Sequence, residues 1–171
     1  VGSEICIRDR AFKKLLQKRN DCRLIIIGDG EYSKCLEECK GDWGKILFTG
    51  KLPKEKVYQF YQIADIGIML SKHEQCSFVA IEMMMHGLPI IASDSTGLDE
   101  MVSNGVNGYK IKTIENKDKV SFNTDECCLL LSLALINNEE EELKNKCRRQ
   151  YETHYSLACM KEKMQTLYKL I

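Results

Sequence analysis

Apolar positions along this chain change their period several times. Residues 23–27, 45–50, 65–70 and 89–93 are short apolar runs bounded by glycine, proline or polar residues. Runs of that length predict strands of a parallel sheet, with the first buried on both faces. Between and around them the spacing becomes helical. Residues 11–19 place Phe12, Leu15 and Leu16 on one face, and 32–39 form a second helix. Pro53 stands near the start of a third, carrying Val57, Phe60, Tyr61 and Ala64. Residues 77–86 predict a helix buried on most sides, stopped by Gly87 and Pro89. A short helix over 98–102 and a small strand over 109–111 follow. Residues 113–124 are polar and carry no periodic signal. Helices are predicted over 125–136, 139–151 and 157–171. The second of these is a solvated helix with Glu140–Lys144 and Glu142–Lys146 at i, i+4. In the last, Leu157, Met160, Met164, Leu167 and Ile171 recur at helical spacing. Strands alternating with helices give an α/β fold, a Rossmann-like parallel sheet flanked by helices with right-handed crossovers.

Composition narrows the function classes. With 171 residues the chain can bury one real core. Its 25 basic and 25 acidic residues balance, which argues against nucleic acid as a partner. Nine cysteines form no C-x-x-C pair, and no zinc spacing occurs. Cys127 and Cys128 sit in an apolar run and are expected in the core. An odd cysteine count without a visible signal peptide points to a reducing, cytoplasmic setting.

Residues 1–10 lack periodicity and an initiating Met. They resemble the frame translation of a transposon-type sequencing adaptor, with Ile5 where Met would stand. They are expected to be non-native, leaving 11–171 as the domain.

Candidate chemistry gathers at the ends of the strands, where ligands of open parallel sheets bind. Four such ends carry small or polar residues: 28–30, 50–52, 71–77 and 93–97. Gly28 and Gly30 flank Asp29, but the third glycine of a dinucleotide fingerprint is absent, so a nicotinamide site is not expected and Asp29 suits an ordinary tight turn. Ser77 is a candidate N-cap, leaving the N–H groups of Ser77, Phe78 and Val79 to meet a phosphate oxygen. Glu82 interrupts the apolar run of that helix, eight positions after Glu74. A carboxylate there needs a polar partner. The partner is either a neighbouring Lys or backbone amide, or two hydroxyls of a bound ribose. His86 suits a helix C-terminus, and His73 is expected to be exposed.

These residues resemble a known family. The runs at 24–31, 48–50, 64–71, 87–93 and 100–109, with Glu74 and Glu82, are similar to the C-terminal half of a GT-B glycosyltransferase. The group resembled is the retaining nucleotide-sugar enzymes of glycosyltransferase family 4. The resemblance covers essentially residues 11–171. It implies a nucleotide-sugar-binding domain with Glu82 on the ribose and Glu74 reading the transferred sugar. Gln75, Cys76, Ser77, Phe78 and Val79 would supply the diphosphate and sugar contacts. Gly28, Gly30, Gly50, Lys51 and Leu52 would line the donor site, the last three beside the base. It further implies no cofactor, no metal, and a glycan or lipid-linked acceptor held by a separate N-terminal domain. Polysaccharide biosynthesis is the implied process, with room for peripheral membrane association of the full-length enzyme.

Three departures stand out. Glu74-Gln75-Cys76-Ser77 occupies the place where the family often has Glu-Gly-Phe-Gly. The segment bearing the diphosphate-binding Arg and Lys has no counterpart here, nor does the acceptor domain, so the fragment alone is expected to be inactive as a hexosyltransferase. The alternatives are a nucleotide-sugar 2-epimerase and a non-catalytic nucleotide-sugar-binding module.

Overall fold

In the computed structural model, residues 3–30, 32–116, 119–136 and 140–169 are described. Five parallel strands form two groups. β1 (Leu24–Ile27) pairs with β2 (Ile46–Gly50), and β3 (Gly67–Met69) pairs with β4 (Ile90–Ser93), which pairs with β5 (Gly108–Ile111). No ladder joins β1 to β3 among the described residues. The helices are α1 (Ser3–Lys18), α2 (Ser33–Glu38), α3 (Lys54–Ile63), α4 (Phe78–Met85), α5 (Thr96–Met101), α6 (Thr124–Ile136), α7 (Glu140–Gln150) and α8 (Leu157–Lys169).

β4 shows how the layers form. Its residues alternate between faces, as strand geometry requires. Ile91 packs with Ile7, Ala11, Phe12 and Leu15 of α1 and with Cys127, Cys128 and Leu131 of α6. Ile90 and Ala92 pack on the other face with Ala80 and Met84 of α4, Leu98 and Met101 of α5, and Cys147 of α7. Helices thus cover both faces, the arrangement expected of an α/β domain. The first layer spans both strand groups, since Leu24 and Ile111 belong to the same cluster.

Several expectations change. α1 begins at Ser3, not at residue 11, and Ile7 and Asp9 are buried. Ile7 thus joins the packing of the helix, one turn before Ala11 on the same apolar face. β1 is half-buried beyond Leu24, whereas all of β4 is buried. Residues 113–116 and 119–122 form an antiparallel hairpin, β6 (Thr113–Asn116) and β7 (Lys119–Phe122), which had no legible period. Phe122 anchors it in the α1–α6 core. α7 runs into a π-turn at Tyr151–Tyr155 before α8. Glu142 and Lys146 pair at 2.7 Å as expected. The side chain of Glu140 lies outside the described residues, as do Glu139 and Ile171. Leu157, Met160, Met164 and Leu167 of α8 are exposed.

Candidate functional site

The four strand-end loops come together in two clasped pairs. In the first, the Gly28 N–H donates to the Gly50 carbonyl at 2.9 Å, and the Lys51 N–H donates to Asp29 Oδ1 at 3.0 Å. Asp29 is therefore a turn residue, tying two loops through its carboxylate. Gly50 adopts φ +67, a conformation that glycine takes without strain.

The second pair joins 71–77 to 93–97. Ser93 Oγ donates to the Ser71 carbonyl at 2.5 Å. The Glu74 carbonyl accepts from the Gly97 N–H at 2.7 Å and from Thr96 Oγ1 at 2.8 Å. A β-carbon at Gly97 would lie 2.0 Å from the Gln75 carbonyl oxygen, so only glycine permits this approach. The backbone of Glu74 is thus fixed, and the residue is half-buried.

Ser77 caps α4, its Oγ accepting from the Ala80 N–H at 3.2 Å. Among the described residues no acceptor meets the N–H groups of Ser77, Phe78 or Val79. Phe78 and Val79 are exposed, as are Gln75 and Cys76. The expectation of a helix buried on most sides is corrected accordingly. The apolar first turn of α4 faces outward beside the loop, and burial begins at Ala80.

Glu82 ties α4 to the start of α3. Lys54 Nζ lies 2.8 Å from its Oε1, and the Tyr58 hydroxyl lies 3.4 Å from the same oxygen. The glutamate side chain keeps 22% of its exposure. The Lys54 ammonium is held above its ordinary pKa by the hydrogen bond to Glu82, then by that to Tyr58. The neighbouring Lys considered for Glu82 is thus Lys54. Nothing in the sequence singled out Lys54 and Tyr58 beforehand, although both stand one turn apart at the start of α3.

His86 ends α4 and stacks on Tyr58 with ring centroids 4.6 Å apart. Its Nε2 is buried without a partner among the described residues. Burial holds its pKa below the ordinary value, so ring packing, not a charge at the helix end, defines its role. A depressed histidine pKa means the unfolded chain binds more protons as the pH drops through about 6.5, so stability falls with acidification there. His86→Phe is expected to flatten the decline in urea midpoint between about pH 7.5 and about pH 5.5. His73 is exposed, its carbonyl accepting from Ser71 Oγ at 3.2 Å. No group of three or more His, Cys, Asp or Glu among the described residues is placed to hold a metal ion.

The sequence model of the family described as Glycosyl transferases group 1 matches residues 10–122, well over half of the chain. The chain belongs to this family. It is 27% identical over 158 residues to the lipopolysaccharide 1,2-N-acetylglucosaminetransferase of Salmonella typhimurium, covering 86% of this chain and 40% of that enzyme. It spans well under half the length of the curated relatives it matches. Among solved structures, the C-terminal domain of the group 1 glycosyl transferase LpcC from Francisella tularensis superposes with a TM-score of 0.73 at 20% identity. That match covers 92% of this chain and 82% of the other. The Anabaena HepE protein in complex with UDP-glucose superposes with a TM-score of 0.72 at 17% identity, covering 99% and 45%. The fold is that of the C-terminal half of a GT-B glycosyltransferase, as the motifs imply. No helix among the described residues is long and apolar enough to cross a membrane.

Proposed function

We propose that the chain is the nucleotide-sugar-binding half of a retaining glycosyltransferase, which moves a hexose from a nucleoside diphosphate to a glycan or lipid-linked acceptor. The observation that carries this reading is the disposition of two carboxylates around one helix start. Glu82 projects from α4, Glu74 precedes it on a loop whose backbone is pinned, and between them lie N–H groups that meet no acceptor among the described residues. In this reading those N–H groups receive the diphosphate, Glu82 accepts the ribose hydroxyls, and Glu74 meets the hydroxyls of the transferred sugar.

In this reading the loop of Gly50, Lys51 and Leu52, clasped to the Gly28–Gly30 turn by the Gly28 N–H to Gly50 carbonyl bond and the Lys51 N–H to Asp29 bond, meets the nucleobase. The Anabaena protein of the same fold was solved with UDP-glucose, which supports a nucleotide sugar as the ligand class. Family membership supports transfer over epimerisation. The reading calls for no divalent cation, the α4 N-terminus offsetting part of the leaving diphosphate's charge. Free thiols at Cys22, Cys35, Cys39, Cys76, Cys127, Cys128, Cys147 and Cys159 are in keeping with a reducing, cytoplasmic setting. In this reading the acceptor is held by a separate N-terminal domain.

Calorimetric titration tests the reading, with a nucleoside diphosphate and its sugar conjugate as the two ligands. Glu74→Gln is expected to leave the bare nucleotide's affinity unchanged and to weaken the conjugate about tenfold or more, the loss of a hydrogen bond to a charged group. Equal loss of both ligands would remove Glu74 from sugar recognition.

A further inference from the structure

Lys54 and Tyr58 are placed to do more than neutralise a glutamate. They stand four residues apart on α3 and therefore share a face. Glu82 and His86 stand four residues apart on the end of α4 and meet that face. The Tyr58 ring lies 4.6 Å from that of His86, centroid to centroid, and 5.4 Å from Lys54 Nζ. Tyr61, the next turn of α3, is 6.0 Å from His86 and closes the aromatic cluster. Tyr58 is consequently held on both sides, and its hydroxyl has little freedom to leave the glutamate.

Both polar groups approach the same carboxylate oxygen. Lys54 Nζ is 2.8 Å and Tyr58 OH 3.4 Å from Oε1, and no donor meets Oε2 among the described residues. A carboxylate has about four acceptor positions across its two oxygens. Here one oxygen is used to fix the plane of the group, and the other is left without a protein donor among the described residues. A fixed plane with one open oxygen suits a pair of adjacent hydroxyls, which must both find lone pairs at a set spacing. Lys54, with 61% of its side chain exposed, retains donors of its own for a hydroxyl or phosphate oxygen.

We infer that Lys54 and Tyr58 are positioning residues that orient the Glu82 carboxylate and thereby set discrimination between ribose and 2′-deoxyribose. The inference rests on the reading of Glu82 as the ribose acceptor and adds to it the residues that make the acceptor selective. An oriented carboxylate loses a bond when the 2′-hydroxyl is removed. A carboxylate free to rotate recovers part of that loss through the remaining hydroxyl and water.

The experiment measures dissociation constants of UDP, GDP and ADP, each beside its 2′-deoxy counterpart, and follows the deoxy-to-ribo ratio for the tightest base. In Lys54→Met the ratio is expected to fall by about tenfold towards unity, the size of one charge-assisted hydrogen bond. Tyr58→Phe should lower it by a smaller factor, and Lys54→Arg should keep it. A merely structural role for Lys54 would shift the ribo and deoxy affinities together and leave the ratio intact, which overturns the inference. Glu82→Ala separates the two levels. A ratio lost in Glu82→Ala but kept in both Lys54→Met and Tyr58→Phe would sink the inference and spare the reading of Glu82. A ratio unchanged in Glu82→Ala, or a parent chain that binds none of the nucleotides, would sink both.

Discussion

Gly97→Ala is expected to destabilise the domain by at least about 1–3 kcal/mol, the range for forcing atoms into a filled space. The added carbon would lie 2.0 Å from the Gln75 carbonyl oxygen and 2.6 Å from that of Glu74. Those atoms are backbone, so no side-chain rotation relieves the clash. Either α5 or the 71–77 loop must move, and movement breaks the bonds from Gly97 and Thr96 to Glu74. The urea midpoint should drop with little change in slope. Nucleotide-sugar affinity should drop with it, because the loop that presents Glu74 is the part displaced. A variant with an unaltered midpoint would mean that the loop is not seated against α5 in solution.

The second large effect is expected at Glu82. Glu82→Ala removes the acceptor of two ribose hydroxyls, each bond to the charged group contributing about 1.5–3 kcal/mol. Nucleoside diphosphate affinity should therefore fall by about a hundredfold or more. Stability should change by less than about 1 kcal/mol, because Lys54 is a largely exposed partner that water can solvate. Binding lost with stability retained would separate the ligand role from a purely ion-pairing one. Calorimetry and denaturation on the same sample measure both. An unfolded variant with no cooperative transition would instead make Glu82 a structural residue.

Much of this architecture is legible in the chain because its strands are short, apolar and punctuated. Ile90 and Ile91 lie between Pro89 and polar Ser93, and a buried strand is the reading that period and length allow. Ser77 was likewise visible as a cap, since serine ahead of an apolar helical run has a local physical reason to be there. The hairpin of β6 and β7 was not visible. Its residues alternate weakly, and Phe122 is held by contact with α1, more than a hundred residues earlier in sequence. The α4 burial was misjudged because a run of apolar residues does not say which turn faces a binding loop. Lys54 and Tyr58 escaped for a related reason. Charged and aromatic residues at the start of an amphipathic helix are common, and only the position of α4 brings them to Glu82.

The division of the strands into two groups has a consequence for hydrogen exchange. β4 has a ladder on each side, and all four of its residues are buried. β1 and β3 each have a ladder on one side only among the described residues. Amides on their other edges have no neighbouring strand to bond among the described residues. Such amides exchange through small local openings, while those of β4 wait for cooperative loss of structure. Lys54 descends from the β1–β2 group and Glu82 from the β3–β5 group, so their ion pair crosses the same divide. Exchange is therefore expected to be faster in β1 and β3 than in β4, and a ligand gripping both sides of the Lys54–Glu82 pair is expected to slow it.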